Sequence, residues 1–448
     1  MPSLTLKPTP KAKALYRMSL VKKGSDSIGI SEYARFVAEL LDSARRFQKL
    51  DQWQAELPAA ATHWLLSGGE ADGILGREFR SVWREFIADY GIHGYDSRIA
   101  DGDQLVLPFG ITLAGVPFPP PKKPLFTFID LFAGIGGFRM ALQRHGGRGV
   151  FSSEWDKHAQ ETYYNNFGEY PFGDIRQFTK DSVTDLELKK LIPDHDVLAA
   201  GFPCQPFSHA GVSARRALGR QHGFECKTQG TLFFDLIRIA QAKRPRVLFL
   251  ENVRSLKTHD EGRTFETIKR TVEDDLGYSF HHTIVDSSTL VPQKRRRCFM
   301  VCFRDSRTPF DFPDFSGEPI PLRTALEKKK VSDWFTLSDR MWQGHIRRTQ
   351  RNLDRGAGFT AYEANLDKPA NTLVSRYWKD GKECLVPQNG HNPRLLTPRE
   401  CARLQGFPED FRLPVSPNAA YRQFGNSVVV PVVEKIAGAI LAALKIKS

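Results

Sequence analysis

Cysteine is scarce in this chain. The six residues, Cys204, Cys226, Cys298, Cys302, Cys384 and Cys401, are irregularly spaced and form no CxxC pair. That argues against a zinc ribbon or a disulfide scaffold, and no metal site is expected. No stretch approaches about 18 uninterrupted apolar residues, so no membrane span is expected. The opening MPSLTLKPTPKAKALYR lacks the apolar core of a signal peptide, which makes the cytoplasm the expected compartment. No internal repeat of solenoid period is present. The composition, 41% hydrophobic and 26% charged, excludes a mostly disordered chain. What remains is a soluble globular pattern of 448 residues, enough for two or three domains at about 150 residues each. Lys+Arg exceeds Asp+Glu by 64 − 51 = 13. A basic surplus of that size suggests a polyanionic partner.

The Lys/Pro-rich first 20 or so residues should fray. Residues 31–49 read as an amphipathic helix with Ser31 as N-cap. A second helix is expected near 74–90, with Phe79, Val82, Trp83 and Phe86 at helical spacing. Leu105, Leu107 and Ile111 alternate as in a hairpin. VPFPPPKKP, 116–124, reads as a stiff proline linker and marks a domain boundary. Beyond it, short apolar runs at 126–132, 149–153, 196–201 and 246–253 alternate with helical patterns, and further strands are expected near 279–286 and 297–303. That rhythm predicts an open α/β sheet. Residues 304–393 break it. They are loop-rich, with Arg340, Arg347, Arg348, Arg351 and Arg355 close together, and read as a smaller inserted module. Regular structure resumes at 396–407 and ends in a helix over 428–444.

Several strand ends carry chemistry. Asp130-Leu-Phe132-Ala-Gly134-Ile-Gly136-Gly137 runs from strand through glycine turn into helix. Such a turn lets a ligand approach the backbone near free helical N–H groups, although a tight turn with no ligand fits the residues equally well. Glu154 ends the second strand, where an acid can accept from ribose hydroxyls, and Trp155 offers a flat face for adenine. Asp174 sits where a third strand should end and could accept from an adenine amino group. Cys204 follows a buried strand between Pro203 and Pro206. That is the setting of a positioned thiolate rather than of a small buried hydrophobe. Glu251 ends the next strand and faces the same crevice; burial there would raise its pKa and let it donate a proton. Arg295 and Arg297 alternate along a strand entry and so share a face, one able to hold a carbonyl oxygen and another a phosphate. A solvated basic run is the competing account.

In this order, DLFAGIGG, Glu154-Trp155, GDI at 173–175, GFPCQPFS, ENV, QKRRR, RLLTPRECARLQGFP and Gln423-Phe-Gly-Asn426-Ser-Val resemble the motifs of the DNA (cytosine-5)-methyltransferase family, over about 126–303 and 394–445. The segment after Cys204 looks like the Dcm and EcoRII-type enzymes, and NNFGEYPFGDI looks like the HhaI type. The resemblance implies a Rossmann-like, parallel-rich S-adenosylmethionine-dependent methyltransferase sheet with one antiparallel strand. It also implies a small inserted target-recognition domain and leaves a mainly helical N-terminal extension. The division is then 1–124 extension, 125–303 catalytic domain, 304–393 target recognition and 394–448 C-terminal return. Phe132, Gly134, Gly136, Glu154, Trp155, Asp174, Ile175 and Asn426 would line the cofactor pocket. Cys204 would be the nucleophile, Glu251 would contact the target cytosine, and Arg295 and Arg297 would lie nearby. Thr372 matches a backbone-contacting threonine. Arg376, Tyr377, Lys379 and Asp380 are candidates for reading DNA, and the likeness to Dcm-type enzymes points to a palindrome such as CCWGG or CCNGG.

The implied partners are double-stranded DNA and a cognate restriction endonuclease that acts on the same site without direct contact. A monomer is expected, in the bacterial cytoplasm at the nucleoid. A tRNA cytosine-5 methyltransferase would share the catalytic motifs but needs no large recognition module, so residues 304–393 favour DNA. A regulator that binds DNA through residues 1–125 is a further rival. That segment carries 16 Lys+Arg against 14 Asp+Glu, a balance that does not suggest a strong DNA-binding surface. The extension is instead expected to pack on the catalytic domain as a scaffold.

Overall fold

The computed structural model describes residues 27–46, 48–66, 75, 78–79, 81–82, 112–114, 116–121, 123–203, 232–356 and 361–446. Strand β1 (Ser27–Gly29) leads into α1 (Ile30–Ala44), a turn of 3-10 helix, α2 (Leu57–Leu66) and β2 (Thr112–Ala114), which pairs in parallel with β1. Ser31 lies inside the first turn of α1 rather than at its cap, and α1 ends five residues before the expected boundary at 49. Of the expected second helix, Phe79 and Val82 are buried; Trp83, Phe86, Leu105, Leu107 and Ile111 lie outside the described residues, as do the first 20.

The central sheet holds β3 (Phe126–Leu131), β4 (Gly147–Ser153), β5 (Val197–Gly201), β6 (Val247–Val253), β7 (His281–Asp286) and β8 (Arg296–Phe303). Their order is β4-β3-β5-β6-β8-β7, and β8 alone runs against the others. The strands are apolar runs because both faces are covered. Side chains alternate between two cores with the period of a strand. Leu198, Ala200, Leu248, Leu250 and Met300 face one core, while Val197, Ala199, Val247, Phe249 and Val301 face the other.

Helix α3 (Gly137–Arg144) and α4 (Lys157–Phe167) follow β3 and β4; α5 (Asp185–Leu191), α6 (Leu232–Lys243) and α7 (Arg263–Arg270) complete the layer around the sheet. No third strand forms ahead of Asp174. Phe172 makes one parallel bridge with Ser153, and the Tyr170 N–H that would extend the ladder donates to the Thr62 hydroxyl oxygen instead. The proline segment is not a free spacer either. The Phe118 N–H donates to the Asn166 carbonyl at 3.0 Å, and Gln143 Nε2 donates to the carbonyls of Phe118 and Pro119.

The basic cluster expected in loops lies on and just after a helix, α8 (Asp339–Asp354), capped by Ser338. Strands β9 (Val386–Gln388) and β10 (His391–Arg394) form a small antiparallel pair. Thr397 and Glu400 make a reciprocal capping box at α9 (Pro398–Leu404), and Arg394 clamps Glu400 through two bonds of 2.8 Å. Helices α10 (Pro417–Asn426) and α11 (Val430–Ala443) return to the sheet. The stretch 417–443 is long and apolar enough to cross a membrane, but 56% of its apolar window is buried in the protein, as for a core helix.

Candidate active site

The carboxyl ends of β3, β4, β5 and β6 and the beginning of β8 meet along one edge. At the end of β3 the chain turns left-handed at Phe132 (φ 57°), Gly134 (φ 55°) and Gly136 (φ 86°). A left-handed phenylalanine costs roughly 1–3 kcal/mol, strain that collects at functional sites. The two glycines do different things. A Cβ on Gly136 would lie 2.2 Å from the Phe167 ring, so glycine there allows close helix packing; a Cβ on Gly134 would meet nothing within 4 Å. The Gly134 side of the turn is thus open to a ligand.

Glu154 stands beside that opening. Its carboxylate accepts the Gly134 N–H and the Asp156 N–H, both at 2.8 Å. Burial pushes its pKa up, and these two N–H groups pull it back. Trp155 is 75% exposed, leaving its indole face uncovered. Asp174 reaches the same edge, but its carboxylate is held by Arg176, which also keeps its pKa low. Ile175 is buried with Phe178 in the core, so its side chain does not present to solvent. Behind the turn, Asp130 is buried, and burial pushes its pKa up to about 8 against the pull of the Arg139 charge and backbone N–H. A left-handed glycine turn over open space, with an acid and an uncovered indole beside it, fits a nucleoside-bearing cofactor.

Glu251 is the second buried acid of the edge. It lies two residues before the end of β6, opposite Gly201 of β5, with 7% of its surface exposed. Arg297, at the start of β8, places Nε 3.1 Å from its Oε1. Desolvation raises the Glu251 pKa, while the charges of Arg297 and Arg295 oppose the rise without cancelling it. Asn252 Nδ2 donates to the Phe202 carbonyl at 2.9 Å, tying the end of β6 to the chain that leads on to Cys204. Cys204 itself lies outside the described residues, as does Cys226. The other four cysteines are buried, and burial raises their thiol pKa values.

Arg295 and Arg297 have different surroundings. Arg295 is buried and donates to the carbonyls of Leu373, Gly425 and Ser427 at 2.7–3.1 Å. With those bonds made, it holds the segments around Thr372 and Asn426 in place and is not set to grip a phosphate. Gln293 works beside it, donating to the Leu404 carbonyl and accepting the Leu373 N–H. Its role as a brace was not read from the sequence, where it looked like part of a basic run. Asn426 is exposed at the end of α10, and the Thr372 hydroxyl donates to the Lys294 carbonyl at 2.7 Å.

The recognition candidates divide in the same way. Arg376 and Lys379 are exposed, and Lys379 lies over the Trp378 ring at 5.4 Å. The side chain of Asp380 lies outside the described residues. Tyr377 does not face DNA. It is 1% exposed, donates to the Cys384 carbonyl, accepts the Leu396 N–H and packs edge-on against Tyr421. The segment forms one helical turn, Tyr377–Asp380, and a turn has an inside; an aromatic in a loop carries no periodicity to show which way it faces.

A parallel sheet with a single reversed strand, a glycine turn after its first strand and a buried acid after its second defines an S-adenosylmethionine-dependent methyltransferase fold. The family model for C-5 cytosine-specific DNA methylase matches residues 126–442, and the chain belongs to that family. It is 44% identical over 338 residues to the type II methyltransferase M.SsoII of Shigella sonnei, covering 73% of this chain and 83% of that one. It is 43% identical to the DNA-cytosine methyltransferase of Escherichia coli K12, covering 72% and 79%, and 40% identical to M.HpaII of Haemophilus parainfluenzae, covering 72% and 92%. In fold it resembles the Dnmt2 methyltransferase of S. pombe, with a TM-score of 0.54 and 18% identity over 71% of this chain and 99% of that one.

Proposed function

We propose that this chain is the modification methylase of a restriction system. It moves a methyl group from S-adenosylmethionine to carbon-5 of a cytosine flipped out of a short duplex site. The observation that carries the reading is the buried Glu251–Arg297 pair at the sheet edge from which Gly201 leads toward Cys204. Cys204 follows Gly201 by three positions in the sequence. Relatives named type II methyltransferases support the modification role.

In this reading S-adenosylmethionine supplies the methyl group. Glu154 would hold its ribose, and Phe132, Trp155 and the Gly134 turn would line the place for its base. Cysteine 204 adds as thiolate to carbon-6, which makes carbon-5 nucleophilic. Protonated Glu251 hydrogen-bonds ring nitrogen 3 and the amino group, and Arg297 stabilises the ring carbonyl. Carbon-5 takes the methyl group as the sulfonium carrier departs as a neutral thioether, an ordered water or a basic side chain then takes the carbon-5 proton, and the electrons left behind restore the 5,6 double bond and expel the Cys204 thiolate. The target must leave the base stack, at a cost of roughly a few kcal/mol. Residues 304–393 then read the flanking bases, and 394–448 close back on the catalytic domain. Bisulfite sequencing of host DNA with and without the protein tests the activity and reports the site; unchanged cytosine methylation overturns the reading.

Two further outcomes are expected. Glu154→Ala should weaken S-adenosylmethionine binding by about 1.5–3 kcal/mol, the worth of a hydrogen bond to a charged group. Calorimetry showing unchanged affinity refutes that placement. Arg376→Ala should reduce discrimination at one guanine by about 1–3 kcal/mol. Arg347→Ala/Arg348→Ala on α8 should instead weaken binding to all sequences alike and flatten the salt dependence. If the α8 variant alters the methylated-sequence profile and Arg376→Ala does not, the two roles are reversed.

A further inference from the structure

We infer that the N-terminal helical unit is a positioning element of the cofactor site, in which Glu56 fixes the Gly173 amide and thereby the placement of Asp174 and Glu154. The inference rests on the cofactor placement proposed above, and on contacts made by residues that lie ahead of the family match at 126–442.

The segment 168–178 carries Asp174, yet the sheet barely holds it. Its link is the single bridge at Phe172, whose N–H donates to the Ser152 carbonyl at 2.8 Å and whose carbonyl accepts the Glu154 N–H at 2.7 Å. Glu154 therefore shares its backbone anchoring with this segment. On the far side, the extension supplies what a neighbouring strand would have supplied. The Glu56 carboxylate accepts the Gly173 N–H at 2.8 Å, and the Thr62 hydroxyl oxygen accepts the Tyr170 N–H at 3.0 Å. The Tyr33 hydroxyl donates to the Gly168 carbonyl at 3.1 Å. Trp53 stacks on Phe178 and His63 on Phe172, with centroids 5.7 and 5.2 Å apart.

Gly173 is matched to this arrangement. A Cβ there would lie 2.7 Å from Glu56 Oε1, so only glycine lets the carboxylate come this close. Glu56 is itself buried, with 3% of its surface exposed. A buried carboxyl of this kind, aimed at one backbone N–H beside a ligand-binding acid, sets the position of that backbone. A second chain of contacts leads toward α3, the helix that follows the glycine turn. His63 Nδ1 lies 3.6 Å from Glu169, which binds Arg139 of α3 at 2.6 Å. The extension thus contacts the segment that carries Asp174 directly, and α3 only through Glu169, without contributing a group to the cofactor site.

The test uses the full chain. Glu56→Ala should raise the dissociation constant for S-adenosylmethionine about tenfold, read by calorimetry. At saturating cofactor its kcat should stay within about twofold of wild type, because the reacting groups at Cys204 and Glu251 are untouched. Glu56→Gln keeps a carbonyl oxygen for the Gly173 N–H and should recover most of the affinity. Gly173→Ala, which displaces the carboxylate from the other side, should show the same loss and serves where Glu56→Ala does not fold. Wild-type cofactor affinity in either folded variant overturns the inference. Equal loss in Glu56→Ala and Glu56→Gln also overturns it, by showing general damage to packing. Glu154→Ala separates the two levels: if it too binds normally, the cofactor placement is what failed.

Discussion

Cys204→Ala is expected to abolish methyl transfer while leaving cofactor and DNA binding near wild type. Carbon-5 of cytosine is too weak a nucleophile to attack a methyl sulfonium unaided. Addition of a thiolate at carbon-6 converts the ring to an enamine, and no hydroxyl or methyl side chain at that position supplies the same electrons. The two binding functions draw on other residues. Glu154 and the Gly134 turn lie at the β3 and β4 ends of the sheet edge, and the exposed arginines lie on α8 and at Arg376. Single-turnover methyl incorporation by the purified variant, beside calorimetry and a DNA shift assay, separates the steps. Retained methylation refutes the covalent mechanism, and lost binding with lost methylation shows that the residue serves the fold instead.

The second large effect concerns Glu251. Glu251→Gln should lower kcat by about 100-fold or more, the usual contribution of a positioned acid. Wild-type activity should also fall as pH rises through the Glu251 pKa. The sign follows from the site. Burial raises that pKa, so the protonated acid is populated below the raised value and lost above it. Arg297, 3.1 Å away, favours the ionised form and holds the rise in check. A glutamine cannot ionise, so the descending alkaline limb assigned to this acid should vanish from the variant's pH profile. A limb that persists unchanged belongs to another group, with Cys204 and the DNA the first to examine.

The strands were legible because buried parallel strands are continuous apolar runs, and β3, β5 and β6 begin and end within a residue of where such runs do. The strand-end acids were legible for a related reason: a charge closing an apolar run has few structural uses. Tyr377 and Arg295 were not. Each resembles a ligand-contacting residue until its partners are known, and those partners lie up to 132 positions away. The bracing by Glu56 was invisible for the same reason, since Gly173 is 117 residues further on. The proline segment misled because proline stiffness describes the backbone alone, whereas Phe118 anchors it through its ring against Phe167 and Phe411.

The reversal of β8 has a consequence for how the site tolerates change in length. Strands β3 to β6 reach the site at their ends, so an extra residue ahead of Val247 enters at the opposite rim, on the order of 13 Å from Glu251. Strand β8 begins at the site. An extra residue between Gln293 and Arg297 has nowhere to be absorbed before it arrives. With β8 kept in register, Arg297 would stay beside Glu251 and the extra residue would instead displace Gln293 and Arg295 from the Leu373, Gly425 and Ser427 backbone that they brace. The loop before β8 is therefore the stretch of this edge in which length, more than composition, is under constraint.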